Sequence, residues 1–567
     1  MIRSLISRVL VMTVVVVIAD GQLTFAQSDV AIESAASEPA VAQHGPDDSV
    51  NDTSQPVQSP PIQDALTPTE INDFQSLAEF ARQQAKNAFT PSIPPVKVLA
   101  DLDYDQFRKI QFIHQRAKWD DGKSPFWLEM FHRGFVQRDR VEMFSIEQGK
   151  SKPFPFLKQD FQYPDSIKAD QIPDDSGYAG LRVVGRFPGN HDAQEMLTFV
   201  GSSYFRARSA ETIYGSSARG LAINIALNQD EEFPLFRRIW VIKPGEDDRQ
   251  LMLLAHLDSP SVSGAYQFTL QPGSAETVVT VNAKVFLREQ ADATEPAIEK
   301  IGIAPLTSMW IWGDGLKGPP QDKRPGVHDS DGLLVHSGED GWIWRPYSRL
   351  PYPSTSFRKV RALLGFGVLQ RNRAFFHYDD YNAKYHMRPS IWVTPHTPWQ
   401  DGRVELLEIP GAHEGIDNIA AYWVPDQMPA PGQPLELNYD LAFFPGDIGA
   451  ENYVGRSTNF YVDRNPVADR IGLTIRFSGL ALRQLPVDRA VNIVTSIAGA
   501  DLLHSESTRT ETGDYIVDVT FRATSESPVD LAVKLQDGER ALTELFTYLC
   551  PVAEPEFNYP SVYTRQE

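Results

Sequence analysis

The chain contains a single cysteine, Cys550, so neither an intrachain disulfide nor a cysteine-based zinc site can form. This cysteine ends an apolar run directly before Pro551, which favours a packed thiol over a catalytic one. The 12 histidines include no His-Glu-x-x-His motif, and the calcium-like start at 329–332 lacks the later ligands and the closing glutamate. No phosphate loop or dinucleotide fingerprint occurs either. We therefore expect no metal and no cofactor.

Positive charge is also scarce, with 53 Lys and Arg residues against 74 Asp and Glu residues and a net charge of -21. A nucleic-acid-binding protein needs a basic face, and the lysines and arginines of this chain form no long run. The composition therefore indicates an acidic protein that acts on neutral ligands and not on nucleic acid.

Long hydrophobic runs are absent apart from one at the N-terminus. Residues 1–26 have the pattern of a secretory signal peptide: Arg3 and Arg8 give a positive start, 9–19 is apolar apart from one threonine, and 24–26 offers a cleavage site. The run is short for a membrane span, although an uncleaved anchor is the alternative. We expect export to the periplasm, with no membrane span after signal cleavage.

The segment that follows, 27–70, is rich in Ser, Ala, Pro, Gln and Asp, and no Lys or Arg occurs between residues 9 and 81. This composition cannot bury a core, so it predicts a disordered acidic tether. Phe74, Leu77 and Ala81 then recur at helical spacing, which predicts a short amphipathic helix over 71–85.

From about residue 95, short apolar or alternating runs recur every ten or so residues between turn-forming residues, as expected for β-strands. The clearest runs are 238–242, 251–255, 277–281 and 419–424. Four prolines and a glycine within 425–434 indicate a domain edge. Beyond it, about seven strand-like runs, beginning with 435–444, predict a small immunoglobulin-like sandwich over 435–555. The expected fold is all-β, with a large N-terminal β-sandwich over 71–430 before this small domain.

Carboxylates are the remaining candidates for chemistry. The sequence His-Asp-Ser-Asp at 328–331 is a dense polar group between apolar runs. Glycoside cleavage requires two carboxylates, one to protonate the leaving oxygen and one to activate water or attack directly. The candidates form three groups: Asp329 with Asp331, Asp379 with Asp380, and Glu414 with Asp417. Because aspartates in turns are commonly backbone caps, composition alone does not separate these groups.

Several longer motifs identify a family. They are GSSYFRA at 201–207, YGSSARGLA at 214–222, LDSPSVSGAY at 257–266, GIAPLTSM at 302–309, HDSDGL at 328–333, RPS at 388–390 and DNI at 417–419. The chain resembles the OpgG/MdoG family of periplasmic glucan biosynthesis proteins and its paralogue OpgD, strongly over 100–435 and weakly beyond. Because the two signal arginines are not adjacent, the chain leans toward the OpgG branch.

This resemblance implies a galactose-mutarotase-like sandwich followed by the immunoglobulin-like domain. It also implies an inverting endo-β-1,2-glucanase that trims or sizes the backbone of osmoregulated periplasmic glucans. By motif position, Asp417 is the general acid, and Asp329 is the general base, acting through a relay that includes a substrate hydroxyl. The motifs place Tyr385 and Glu414 in substrate binding.

The resemblance leaves Asp331 as a turn-fixing or substrate-binding residue. The expected ligand is β-1,2-glucan, and the expected partner is the membrane glucan glucosyltransferase. The alternative is a non-catalytic glucan-binding scaffold that works with this transferase. Two departures from the family pattern, at 411–416 and at Gln400, make glucan handling a firmer expectation than cleavage.

Overall fold

The computed structural model of the protein describes residues 66–289, 297–410, 413–430, 432–448, 454–465 and 469–557. The predicted signal peptide and nearly all of the predicted tether lie outside these residues. Strands make up 49% and helices 9%, arranged in several sheets, which confirms the all-β sandwich prediction. In the part of the chain that the structure describes, no helix is long and apolar enough to cross a membrane.

The predicted amphipathic helix is present as α1, Phe74–Gln84, and begins where the Asp73 carboxylate accepts a hydrogen bond from the Ser76 N–H at 2.8 Å. Its apolar face packs on the sheet around Trp240. The Trp240 indole donates to the Pro68 carbonyl at 3.0 Å, within a short 3-10 turn at Pro68–Glu70. The last residues assigned to the tether are therefore anchored to the sheet.

The remaining helices are short: α2 Lys97–Ala100, α3 Tyr104–Phe107 and α4 Leu480–Arg483. The strands of the large domain are β1 Gln111–Phe112, β2 Phe126–His132, β3 Glu142–Glu147, β4 Lys150–Phe154, β5 Phe161–Gln162, β6 Tyr178–Gly185, β7 Gln194–Val200, β8 Tyr204–Ala207, β9 Ser217–Arg219, β10 Leu221–Ile223, β11 Leu235–Ile242, β12 Leu251–Asp258, β13 Val262–Gln271, β14 Thr277–Leu287, β15 Ile301–Ser308, β16 Trp310–Trp312, β17 Val327–His328, β18 Gly332–Ser337, β19 Gly341–Pro346, β20 Ser354–Leu369, β21 Ser390–Pro395, β22 Trp399–Glu408, β23 Ile419–Pro425 and β24 Leu435–Phe444.

Most of these strands form two layers that share the long strand β20, while β1 with β5 and β16 with β17 form separate two-stranded sheets. One layer runs β3-β11-β12-β13-β14-β24-β21-β20-β18-β19, and the other runs β2-β6-β7-β8-β9-β15-β23-β22-β20. The first part of β20 pairs with β22, and the part from Leu363 onward pairs with β18 and β21. Side chains from both layers, among them Phe199 and Phe268, belong to one buried cluster. The large domain is thus a sandwich whose layers are joined covalently at β20.

Strand β24 corrects the sequence-based assignment of 435–444 to the small domain. It pairs along its length with β14 and also with β21, both in the large sandwich. The proline-rich segment 425–434 therefore connects two strands of the large domain. Prolines lack the N–H that strand pairing requires and are common both at strand ends and at domain edges, so they did not distinguish the two.

The small sandwich follows β24. Its strands are β25 Arg456–Asn465, β26 Arg470–Ser478, β27 Asn492–Ala498, β28 Ala500–Arg509, β29 Tyr515–Ala523, β30 Val529–Asp537, β31 Arg540–Ala541 and β32 Leu545–Cys550. One sheet has the order β25-β26-β29-β28, and β27, β30 and β32 face it across a buried core. Strand β32 also pairs in parallel with β19, so the two sandwiches share a sheet. Cys550 is fully buried at the end of β32, and burial raises the pKa of its thiol to about 11.

Candidate functional site

Asp417 lies two residues before strand β23, which pairs with β15 inside one layer. Strand β23 begins two residues later at Ile419, which pairs with Ser308 at the end of β15. This register sets the Asp417 carboxylate beside Thr307, whose hydroxyl donates to Asp417 Oδ2 at 2.6 Å. Strand pairing therefore fixes one oxygen of Asp417.

Asp329 is brought to the same segment by a different pairing. Strand β16 begins at Trp310, which pairs with His328 of β17, and Asp329 is the next residue. The Asp329 N–H donates to the Met309 carbonyl at 2.7 Å. Residues 308–310 therefore lie between two carboxylates that are far apart in the sequence.

Asn418 holds the two sides of this arrangement together. Its side-chain amide accepts from the Trp310 N–H at 2.8 Å and donates to the Trp310 carbonyl at 2.9 Å. It also donates to the Ile409 carbonyl at 2.9 Å, and its own N–H donates to the Ser308 carbonyl at 3.0 Å. With its amide satisfied on both strands, Asn418 fixes the backbone immediately after Asp417.

Two arginines face the carboxylates. Arg206 Nη2 lies 3.9 Å from Asp417 Oδ2, and Arg388 Nε lies 3.5 Å from Asp329 Oδ1. Burial lowers the pKa of Arg206, while the charges of Asp417 and Asp329 both act in the opposite direction. Both carboxylates therefore lie within electrostatic range of one buried guanidinium. Both arginines lie in family motifs, at 201–207 and 388–390. The sequence did not predict either as a site residue, because their roles depend on which carboxylates they face.

Asp329 is buried, and one of its carboxylate oxygens lacks a hydrogen bond among the described residues. Its exposed fraction is 6%, and in the described part of the chain its buried Oδ1 accepts no hydrogen bond. Burial raises the pKa of Asp329, Asp417 raises it further, and the Arg388 and Arg206 guanidinium groups lower it. Buried carboxylate oxygens are normally hydrogen-bonded, so this oxygen is suited to meet a ligand hydroxyl or water.

Tyr385 and Glu414 form a second, linked cluster. The Tyr385 hydroxyl donates to Glu414 Oε2 at 2.6 Å, and the two Arg324 Nη atoms donate to the same carboxylate at 2.9 and 2.6 Å. Arg324 also binds Asp322 at 2.6 Å and Asp380 at 2.8 Å. Burial raises the pKa of Tyr385 well above its ordinary value, and the charges of Glu414 and Asp329 add to this effect. Arg324 thus pairs with three carboxylates and connects three loops.

Asp331 has the contacts of a turn-fixing residue. Its Oδ2 accepts the backbone N–H groups of Arg371 and Asn372, the latter at 3.0 Å. The His328 Nε2 lies 3.5 Å from Oδ1, and burial lowers the pKa of that imidazole. A role for Asp331 in substrate binding stays a prediction. Asp379 is exposed.

A family model described as "Periplasmic glucan biosynthesis protein, MdoG" matches residues 72–550 of the chain. The chain belongs to this family. The match begins just before α1 and ends with β32, so it includes both sandwiches. The resemblance inferred from the motifs is confirmed, and with it a periplasmic location and a role in glucan biosynthesis.

The candidate site of this MdoG-family protein includes a row of buried hydroxyls that the sequence did not reveal. Ser216 donates to Ser308 at 2.9 Å, Ser308 lies 2.6 Å from Ser330, and Ser330 lies 3.0 Å from the Tyr347 hydroxyl. Ser308 and Ser330 are the neighbours of Thr307 and Asp329 in the sequence. This row of hydroxyls therefore links the backbone segments that carry the two carboxylates.

The described residues contain no group of three or more His, Cys, Asp or Glu side chains that could hold a metal ion.

Proposed function

We propose that this MdoG-family protein is an inverting endo-β-1,2-glucanase that trims or sizes the β-1,2-glucan backbone during biosynthesis. The observation that carries the proposal is the meeting of Asp417 and Asp329 on either side of residues 308–310. Two carboxylates in different surroundings, facing a common arginine, suit the division into acid and base that glycoside hydrolysis needs.

In this mechanism Asp417 protonates the glycosidic oxygen. Its Oδ2 is occupied by the Thr307 hydroxyl, so the transferred proton belongs on Oδ1. After transfer, the carboxylate regains a full negative charge, which Arg206 at 3.9 Å and the Thr307 hydroxyl stabilise. Charge that develops in the transition state is thus met by groups already in position.

Asp329 is the base. Its buried Oδ1, which accepts no hydrogen bond among the described residues, takes the proton of the attacking water through a substrate hydroxyl. Burial raises its pKa and makes the carboxylate a stronger base, while Arg388 favours the ionised form that the reaction requires.

The proposal is tested with purified protein and linear β-1,2-glucan. We expect new reducing ends, and inversion at a β-linkage means that α-anomers appear first in NMR spectra recorded before mutarotation. Linear β-1,3-glucan is the matched control and should yield no new ends. Initial release of β-anomers contradicts the mechanism. Binding of β-1,2-glucan without any new ends supports instead the scaffold that works with the membrane glucosyltransferase.

Arg388→Met should move the acidic limb of the kcat/KM profile to higher pH, by about one unit. The base must be ionised, and removing the cation 3.5 Å from Asp329 raises the pKa of that carboxyl, so a higher pH is needed to deprotonate it. The measurement is kcat/KM for β-1,2-glucan between pH 4 and 8. Arg388→Lys, which keeps the charge, should leave the limb closer to that of the wild type. A limb that stays in place or moves to lower pH contradicts the assignment of Asp329.

A further inference from the structure

The loop between β20 and β21 presents two aromatic side chains to solvent. Phe376 is 70% exposed and Tyr381 is 79% exposed. The Tyr381 ring centroid lies 4.4 Å from that of Phe375, and the Phe376 ring lies 4.5 Å from that of His377. We call Phe376 and Tyr381 the aromatic rim. Exposing a large aromatic ring to water is unfavourable. Two such rings exposed in one loop are therefore a candidate surface for contact with a ligand.

The turn that carries Tyr381 is held in a fixed conformation. The Asp380 carboxylate accepts the N–H groups of Asn382 and Ala383 at 2.9 and 2.8 Å. On either side of this turn, Asp379 and Lys384 have φ values of 55° and 51°, a left-handed conformation that costs a residue with a side chain about 1 kcal/mol. Backbone strain of this kind persists where the surroundings enforce it, and it clusters at ligand sites.

The same loop reaches the two carboxylates through the residues that follow the turn. Arg388 lies 3.5 Å from Asp329, and Tyr385 donates to Glu414 three residues before Asp417. Asp380, next to Tyr381, binds Arg324 at 2.8 Å, and Arg324 in turn binds Glu414. The turn that carries Tyr381 is therefore linked, through hydrogen bonds, to the border of the proposed cleavage site.

A glucan chain is the occupant that this surface fits. Pyranose rings present C–H faces that pack on exposed aromatic rings, and they carry no charge. The neighbouring carboxylates Asp322 and Asp380 both pair with Arg324, so their oxygens are engaged within the protein beside the exposed rings. An endo-acting enzyme must also hold glucosyl units beyond the bond that it cleaves.

We propose that the aromatic rim is a remote binding site for glucosyl units of long β-1,2-glucan chains, and that it sets the preference for chain length. This inference rests on the proposed function. Stacking on a rigidly presented ring adds binding energy only for chains long enough to reach it. Short oligosaccharides confined to the residues around Asp417 and Asp329 do not gain from it.

The test compares long linear β-1,2-glucan with the shortest oligosaccharide that the wild type binds. Tyr381→Ala and Phe376→Ala should each weaken binding and raise KM for the long glucan about 3- to 10-fold, and change both by less than about 2-fold for the short one. Tyr381→Phe keeps the ring and should behave as the wild type. Phe357→Ala removes a 65% exposed ring on β20, outside the loop, and should have no effect on either ligand.

Two results overturn the inference and are distinguishable from each other. If the wild type neither binds nor cleaves β-1,2-glucan, the proposed function fails and the inference fails with it. If the wild type binds the glucan but Tyr381→Ala keeps wild-type affinity for long chains, or loses affinity equally for long and short ones, only the inference fails. The binding measurement does not require turnover, so it is decisive for the scaffold alternative as well.

Discussion

Asp417→Asn should reduce the rate of β-1,2-glucan hydrolysis by about 100- to 10,000-fold, because an amide cannot supply the proton that the leaving oxygen needs. Asparagine has the shape of aspartate, and its carbonyl oxygen can still accept the hydrogen bond that Thr307 donates to Asp417 Oδ2 at 2.6 Å. The loss should therefore appear in kcat, with little change in KM. Initial rates of reducing-end release, together with matching thermal melts of the two proteins, measure this effect.

Asp329→Asn should cause a loss of similar size for a different reason, and one substrate separates the two roles. The substrate is a β-1,2-linked glucose oligosaccharide joined by a β-glycosidic bond to an aryl group, which leaves without protonation. It should restore much of the activity of Asp417→Asn and none of that of Asp329→Asn. Asp379→Asn is the matched control, since Asp379 is exposed and asparagine tolerates its left-handed backbone. A rate for Asp417→Asn within tenfold of the wild type would show that another group is the acid.

Arg371→Ala should destabilise the protein by about 3–5 kcal/mol, because it leaves the Glu544 carboxylate buried without its counter-charge. Arg371 donates to both Glu544 oxygens at 2.8 and 2.9 Å, and its guanidinium lies 3.6 Å from the Trp344 ring centroid. The side chains of Arg371 and Glu544 are 9% and 1% exposed. This pair joins the large sandwich to the small one, so the loss should appear in the free energy of unfolding measured with urea.

The matched control is Arg489→Ala, which breaks an ion pair of the small sandwich with Asp537. There the side chains are 53% and 21% exposed, and such pairs contribute at most about 1 kcal/mol. Arg371→Lys should fall between the two, since it keeps the charge but loses the two-pronged contact. An Arg371→Ala variant as stable as Arg489→Ala would mean that water reaches Glu544.

Local sequence patterns were enough to predict the elements of the fold. Helix α1 follows from the spacing of Phe74, Leu77 and Ala81, and strands such as β11 and β14 follow from runs that alternate or stay apolar. These patterns are local, because burying one face of a helix or strand needs a fixed period along the chain. The family motifs likewise pointed to Asp329 and Asp417.

Which side chains meet depends on the tertiary structure. Asp329 and Asp331 are two residues apart and equivalent in composition, yet one lies by Arg388 and the other binds backbone N–H groups of the next loop. Arg206 could not be assigned, nor could β24 be placed in the large sandwich. Each depends on strand pairing between segments far apart in the sequence, where the register sets which faces and which carboxylates come together. Local periodicity carries no information about that register, so the site exists only once the strands are paired.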